Sequence, residues 1–431
     1  MNNTINRLII IGNGFDLAHG MKTRYKDFVN GYLRQRINEH RGSKSPKKTE
    51  DKLMSIIPLC DTNKVFRDNL PPNYYTPSVE MLRDEYNDNL TPKQNLDKVR
   101  ACRYEVQLSP FFDKIIEEIE HKNWVDIEYA YYEYLRDICN KPELSKKEVS
   151  KKIDGLNEEM KCITRKLSEY LRKQNEGYKK RDDFKTIHEF IRPLRSQEIA
   201  VSAEKYWKEF VVQRENNSTY QNRIKYFRDN DFYVEPKYKS DDGTDVYKLF
   251  PEKVFLLNFN YTTYIEPKFG IILPDLPVVS FDKDQLVCHI HGDLNDENSI
   301  IFGYGDDSDE MYKKLLDKND NRFLENDKIT KYMGSAKYRN FLGFIKSAPF
   351  QVCIMGHSCG ISDRTLLNTI FQHENCVSIK PYYYKNGDND NYDEIIKNII
   401  RCFDDKKLMR DRVVNKEYCE PLPQPVEEKN R

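Results

Sequence analysis

The sequence predicts an α/β protein built on a doubly wound, mostly parallel sheet with a large helical insertion. Three observations predict it. Unbroken apolar runs of strand length open the chain and return after Pro251, as strands buried on both faces require. Segments of helical periodicity lie between the later runs, the alternation that builds a parallel sheet. The strand signal is absent over residues 41–250, so that stretch reads as inserted.

The first element is Leu8-Ile9-Ile10-Ile11, a buried strand leading into Gly12-Asn13-Gly14, with Gly20 six residues later. Glycine lets the backbone turn sharply against a ligand. A helix starting just after such a turn points free N–H groups at a phosphate. The same residues also suit a plain strand-turn-helix, because short glycine motifs occur without ligands. A helix follows from near Thr23, with Tyr25, Phe28, Val29, Tyr32, Leu33 and Ile37 as its apolar stripe.

Composition shifts at Arg41. Residues 41–51 are rich in Lys and Ser, and Pro71-Pro72 breaks any long element. Residues 52–100 read as irregular with short helices, and residues 110–230 as mostly helical. Val149, Ile153, Leu156, Met160, Ile163, Leu167 and Tyr170 alternate spacings of four and three, an a/d seam over about three heptads. That seam suits an antiparallel hairpin within one chain; an oligomer contact is the other reading. Phe184, Ile187, Phe190 and Ile191 make a second stripe.

Buried runs then follow at 254–257, 286–291, 299–302, 350–356 and 376–379, the last just before Pro381. A helix over 392–403 comes next, and the tail from Lys416, rich in Pro and charge, reads as disordered. The expected organisation is an α/β domain in two pieces, 1–40 and 251–405. A mainly helical insertion occupies 41–250 and a partly disordered tail 406–431.

Lys+Arg and Asp+Glu both number 70, so the formal net charge is zero. This removes the bulk electrostatic attraction of a nucleic-acid binder. The 10 cysteines include no CxxC pair and no zinc-finger spacing with histidine. Cys353 and Cys376 sit in apolar stretches, as small buried hydrophobes do. The run Ile9-Ile10-Ile11 is too short for a signal-peptide core. No apolar stretch approaches the about 18–20 residues that span a bilayer. A cytoplasmic chain with no membrane segment is expected.

Four apolar runs lead into polar clusters: Gly12-Asn13-Gly14-Phe15-Asp16, Asn258-Phe259-Asn260-Tyr261-Thr262, His289-Ile290-His291-Gly292-Asp293, and residues 356–363 from Gly356 to Asp363. Doubly wound sheets bind ligands at the carboxyl ends of their strands. Packing alone gives no reason to end four strands in Asn, His and Asp, so one shared site is expected.

Three chemistries compete for these residues. Gly356-His357-Ser358-Cys359-Gly360 is G-x-S-x-G after a strand, the nucleophile-elbow pattern of an α/β-hydrolase. Only His373 follows it, too close to Ser358 for the usual intervening strands. His289-x-His291-x-Asp293 has metal-ligand spacing, and the two histidines share a strand face. No second His/Asp cluster accompanies it among the 8 histidines, so no metal is expected. The third chemistry is a nucleotide site with one histidine base.

The blocks Ile-Gly-Asn-Gly-Phe-Asp-Leu-Ala-His-Gly (11–20), Asn-Phe-Asn-Tyr-Thr (258–262), His-Ile-His-Gly (289–292), Ile-Phe-Gly-Tyr-Gly (301–305) and Gly-His-Ser-x-Gly-x-x-Asp (356–363) resemble, in order and wording, the AbiH-type bacteriophage abortive-infection family. They span the chain end to end, while 41–250 carries no motif of that kind. The family in turn is similar, more remotely, to sirtuin-like NAD-binding domains of antiphage systems. Their glycine-rich opening resembles Gly12 through Gly20, their Asn-x-Asp element Asn260-Tyr261-Thr262, their His-Gly His291-Gly292, and their late Gly-x-Ser…Asp Gly356 to Asp363. Two residues depart: Thr262 stands where that pattern has aspartate, and Asp16 where it has serine or a similar small residue.

The resemblance implies a Rossmann-like, sirtuin-like sheet and hydrolysis of NAD at the nicotinamide–ribose bond on infection. It casts His291 as general base, a task that an imidazole near pH 6.5 suits, and Asn260 as the amide that orients water or ribose. Gly12, Gly14 and Gly20 would admit the phosphates. Asp16, Ser358 and Asp363 would hold hydroxyls of the adenosine half. Asn13, Phe15, Asn258, Thr262 and Gly356 complete the nucleotide-binding set. Asp363 serves equally as a helix N-cap, and Asn258 as a turn former.

Two other functions stay open. One is a nucleotide sensor without turnover, whose helical insertion recognises a phage component. The other is a nuclease, against which the zero net charge and the lack of a carboxylate metal cluster argue. The expected partners are an NAD-like nucleotide, a phage-derived trigger and a second copy of the chain through the insertion. Neither a membrane nor nucleic acid is expected.

Overall fold

The computed structural model describes residues 4–41, 49–58, 86–87, 89–102, 104–122, 125–177, 189–215, 249–263, 265, 287–307 and 309–423. The strands among these residues, in chain order, are β1 (Asn6–Ile11), β2 (Thr49–Glu50), β3 (Met54–Pro58), β4 (Tyr104–Leu108), β5 (Val254–Asn258), β6 (Val287–His289), β7 (Phe350–Met355), β8 (Cys376–Tyr382) and the short hairpin pair β9 (Lys385–Asn386) and β10 (Asn389–Asp390). The two ends of the chain close into one five-stranded sheet of order β6-β5-β1-β7-β8. Every neighbouring pair in it is parallel. The chain winds from β1 to one side, then crosses to β7 on the other. Such a reversal opens a crevice at the strands' carboxyl ends, here between β1 and β7.

β1 and β7 are buried at every position, which explains their unbroken apolar character. Leu8, Ile10, Leu257, Val352 and Ile354 pack on one face, against helices Ala336–Ser347, Arg364–Phe371 and Tyr392–Arg401. Ile9, Ile11, Leu256, Cys353 and Met355 pack on the other, with Phe15, Phe190 and Ile191. The alternation is that of strand side chains. Each such Leu or Ile contributes about 1.5–3 kcal/mol by leaving water. β8 runs through Pro381 rather than stopping before it, because it is an edge strand where a missing N–H breaks no ladder.

Among the described residues, the α-helices before β5 are α1 (Asn13–Ala18), α2 (Tyr25–Arg41), α3 (Pro92–Ala101), α4 (Pro110–Lys122), α5 (Ile127–Cys139), α6 (Lys146–Gly177) and α7 (Glu204–Glu215). α2 to α6 form a helical body around Leu33, Phe112, Tyr132, Leu156 and Ile163. The 149–170 seam lies in α6 and is spent there, within the chain. A small antiparallel sheet, β2-β3-β4, takes only β3 from the stretch 52–100 read as irregular, with β2 just before it and β4 just after. The alternating Tyr104-Glu105-Val106-Gln107-Leu108, with Tyr104 and Val106 buried, was the signal for it.

Side chains from both sides of residue 250 pack together. Phe190 and Ile191 belong to the sheet's core, as do Leu194 and Phe210 with Ile5 and Val377. Phe184 and Ile187 lie outside the described residues. Leu294, Phe302, Tyr304 and Phe323 pack into the helical body instead. The run at 299–302 is not a strand. Ile300 and Phe302 face the helical body and Ile301 the sheet, so the run is apolar because it is wedged between two cores.

The tail is not disordered up to residue 423. Helix Lys406–Arg412 is followed by Leu422, 4% exposed, whose N–H donates to Tyr383 O at 2.7 Å. Residues 424–431 lie outside the described residues. Among those described, no helix is long and apolar enough to cross a membrane.

Candidate functional site

The glycine turn after β1 interlocks with the loop after β7. Gly12 N–H donates to Met355 O at 3.1 Å, and Gly14 N–H to Gly356 O at 2.7 Å. A Cβ on Gly14 would stand 2.7 Å from Gly356 O, and one on Gly356 only 2.0 Å from Phe15 N. Gly356 also has φ +73, the region that favours glycine. The first task of these glycines is thus the close approach of two loops at the switch point. Phe15 N–H donates to Gly12 O at 2.9 Å, so the amides of Gly14 and Phe15 are both bonded within the fold. Asn13 is exposed, and its Oδ1 accepts from Thr23 Oγ1. Gly20 is exposed at φ +83, in the turn that ends α1.

A first polar group forms just behind this turn. Asn258 Oδ1 accepts from Asn260 N–H at 2.9 Å, a local bond that shapes the turn after β5. Asn260 Nδ2 donates to Gly12 O at 3.0 Å and to Asp16 Oδ1 at 2.8 Å. Thr262 Oγ1 donates to Asp16 Oδ2 at 2.7 Å. Burial pushes the Asp16 carboxyl up to about 7, against the bonds from Thr262 and Asn260 and the nearby His19 and His289.

A second group brings together five elements. His291 follows β6, His357 follows β7, and Asp363 ends the short turn Ile361–Asp363. Lys328 and Tyr332 lie one helical turn apart on helix Lys328–Met333. Glu128 comes from α5 in the helical body. His291 Nε2 lies 3.4 Å from Asp363 Oδ1 and 2.9 Å from Tyr332 Oη. His357 Nε2 lies 3.4 Å from Asp363 Oδ2. Lys328 Nζ bridges Asp363 Oδ1 at 2.8 Å and Glu128 Oε1 at 3.0 Å. Phe259 meets both imidazoles edge-on, at centroid distances of 5.1 and 4.3 Å.

The electrostatics of the second group separate its members. Burial opposes ionisation of Asp363, yet Lys328 and the imidazoles hold its carboxyl well below the usual range. Burial and then the Lys328 charge lower His291 to about 4, against the pull of Asp363. It is therefore neutral at pH 7. Burial raises the Glu128 carboxyl; Lys328 opposes this, while Asp363 and Asp126 add to it. The Asp363 and Glu128 charges hold Lys328 well above its ordinary value despite burial.

The family described as bacteriophage abortive infection AbiH matches residues 8–384, a span that includes every member of both groups. The chain belongs to the AbiH family. Its coarse function is accordingly abortive infection against bacteriophage. No curated protein and no solved structure matches the chain.

In this AbiH-family chain, the sequence-selected residues divide. Gly12, Asp16, Asn260 and Thr262 meet in one group, and His291 and Asp363 in the other. No hydrogen bond joins Asn260 to His291 among the described residues. Asp363 makes no cap bond to the helix it precedes; its oxygens face Lys328 and the two imidazoles. Ser358 is exposed, and its carbonyl accepts from Asn398 Nδ2 at 2.8 Å. The positive φ of that loop falls at Cys359, +54, and not at Ser358. No imidazole or carboxylate contacts the Ser358 hydroxyl among the described residues, so this AbiH loop is not built as a nucleophile elbow.

Sequence reasoning missed Glu128, Lys328 and Tyr332, and read past His357. One signal was available for Glu128. It is a charged residue among the buried Ile127, Ala130, Tyr131 and Leu135 of α5, where a carboxylate needs a partner. No cluster of three His, Cys, Asp or Glu able to hold a metal occurs among the described residues. A cavity of about 610 Å³ opens between α2 and α6, beside Tyr32, Lys166 and Tyr170; none of its lining residues belongs to either group.

Proposed function

We propose that this AbiH-family chain arrests infection by hydrolysing an NAD-type dinucleotide at its nicotinamide–ribose bond. The observation that carries the reading is the Asp16 carboxylate held by Asn260 and Thr262 at 2.8 and 2.7 Å. The resemblance calls for a carboxylate two residues after Asn260. Asp16 supplies one beside Thr262, where it can accept ribose hydroxyls.

Cleavage of an N-glycosidic bond passes through an oxocarbenium-like state. Water oxygen bonds to the anomeric carbon, the C–N bond breaks, and its electron pair neutralises the nicotinamide ring. The water proton passes to a base and then to solvent. Neutral His291 can accept that proton, and the Asp363 charge 3.4 Å away stabilises the imidazolium so formed. A second reading is a sensor without turnover. It is favoured by burial, since Asn260 and His291 are only 8% and 4% exposed, so a ligand must open loops to reach them.

The deciding experiment measures nicotinamide release by purified protein, and cellular NAD after phage infection, for wild type and His291→Ala. Release and NAD collapse confined to the wild type support hydrolysis. Unchanged NAD in cells that still die sinks it.

A further inference from the structure

The helical body reaches the centre through Glu128. Glu128 Oε1 accepts from Lys328 Nζ at 3.0 Å and from Gly303 N–H at 2.9 Å. Lys328 Nζ donates in turn to Asp363 Oδ1 at 2.8 Å and to Ser362 O at 3.3 Å. The Lys328 side chain is 2% exposed and that of Glu128 8%. A buried ammonium on two carboxylates is not a solvated ion pair, which would be worth little. Removing one partner of such a pair leaves an uncompensated charge.

We propose that Lys328, clamped between Glu128 of the helical body and Asp363 of the sheet, is a positioning residue that holds Asp363 against His291 and His357. The insertion is then a working part of the centre and not a separate recognition module. The ionisable groups around Asp363 come from every element packed there. Lys328 and Tyr332 share one helix, and His291 and His357 follow β6 and β7. Asp126 caps α5 and Glu128 lies on it, Tyr25 is on α2, Tyr261 follows β5, and the Cys359 and Cys402 thiols face Asp363 as well. Lys328 is the one cation among them whose charge does not depend on a histidine. It therefore decides that Asp363 is ionised while the facing His291 stays neutral.

The role in turnover rests on the proposed hydrolysis; the electrostatic role does not. Histidine ring carbons labelled for NMR are titrated in the full chain. Lys328→Met is expected to raise the His291 pKa by about 1 unit or more, the usual effect of removing a charge at this range. The acid limb of nicotinamide release should move up with it. Lys328→Arg keeps the cation and should leave both near wild type. A His291 titration unmoved in folded Lys328→Met, or moved equally by Lys328→Arg, overturns the proposal. Should Lys328→Met fail to fold, Lys328→Met with Glu128→Gln removes the ammonium together with one carboxylate it neutralises, and the same rise is expected. Absence of nicotinamide release in wild type sinks the hydrolysis alone, because the titration needs no substrate.

Discussion

The Thr262 hydroxyl donates a 2.7 Å hydrogen bond to the Asp16 carboxylate, across 246 positions of sequence. Two side chains far apart in the chain thus meet behind the glycine turn, the Asp16 carboxyl of α1 and the hydroxyl of the turn after β5.

Asp16 makes stability depend on pH. Its folded value, about 7, lies above the ordinary 3.8. Between the two, the native state binds the proton more firmly than the unfolded chain. Its contribution therefore falls as pH rises from about 4 to 7 and levels above, by at most about 4 kcal/mol. Asp16→Asn should abolish this component. Urea unfolding of both proteins on either side of that window checks it; a wild-type-minus-variant difference that stays constant with pH contradicts it.

The loop interlock predicts unequal glycines. Gly356→Ala combines a positive φ with a Cβ 2.0 Å from Phe15 N, and should cost more than about 3 kcal/mol or prevent folding. Gly20→Ala has a similar φ, +83, but nothing within 4 Å of the added Cβ, and should cost only about 1–2 kcal/mol. Thermal melts of the two variants test the ranking. Equal losses would mean that strain alone, not loop contact, sets the cost.

A third charged cluster ties the chain's late segments to the sheet. Glu198 accepts from Arg192 Nη2 at 2.9 Å, Gln351 Nε2 at 2.9 Å and Lys380 Nζ at 2.7 Å. Lys380 also pairs with Glu420 of the tail. Burial opposes the Glu198 charge, but Arg192 and Lys380 hold its carboxyl far below the ordinary range. Glu198→Gln should cost about 3–5 kcal/mol, because the cations stay buried without their counter-charge. Loss of less than about 1 kcal/mol in urea unfolding would show the cluster to be dispensable.

The polar composition of the tail hides the packing of its residues up to 423. Glu420 and Leu422 are ordered by partners far upstream, Lys380 and Tyr383, that no local window contains. Packing on the sheet from before residue 250 is hidden for the opposite reason. Phe190 and Phe210 look like helix stripes locally, yet the face they cover belongs to the sheet.

What the sequence determined by itself was periodic or adjacent. Unbroken apolar runs required strands buried on both faces, and β1, β5, β7 and β8 are such strands. Polar residues follow the carboxyl ends of the strands, and the structure gathers Asp16 with Asn260 and His291 with Asp363. What only the tertiary structure decided was pairing. Which carboxylate meets Thr262, which ammonium neutralises Asp363, and that a glutamate from the helical insertion joins this group are all settled by contacts between distant segments. A buried charge is tolerated only beside its partner, and the chain's folding, not its spelling, brings the partner there.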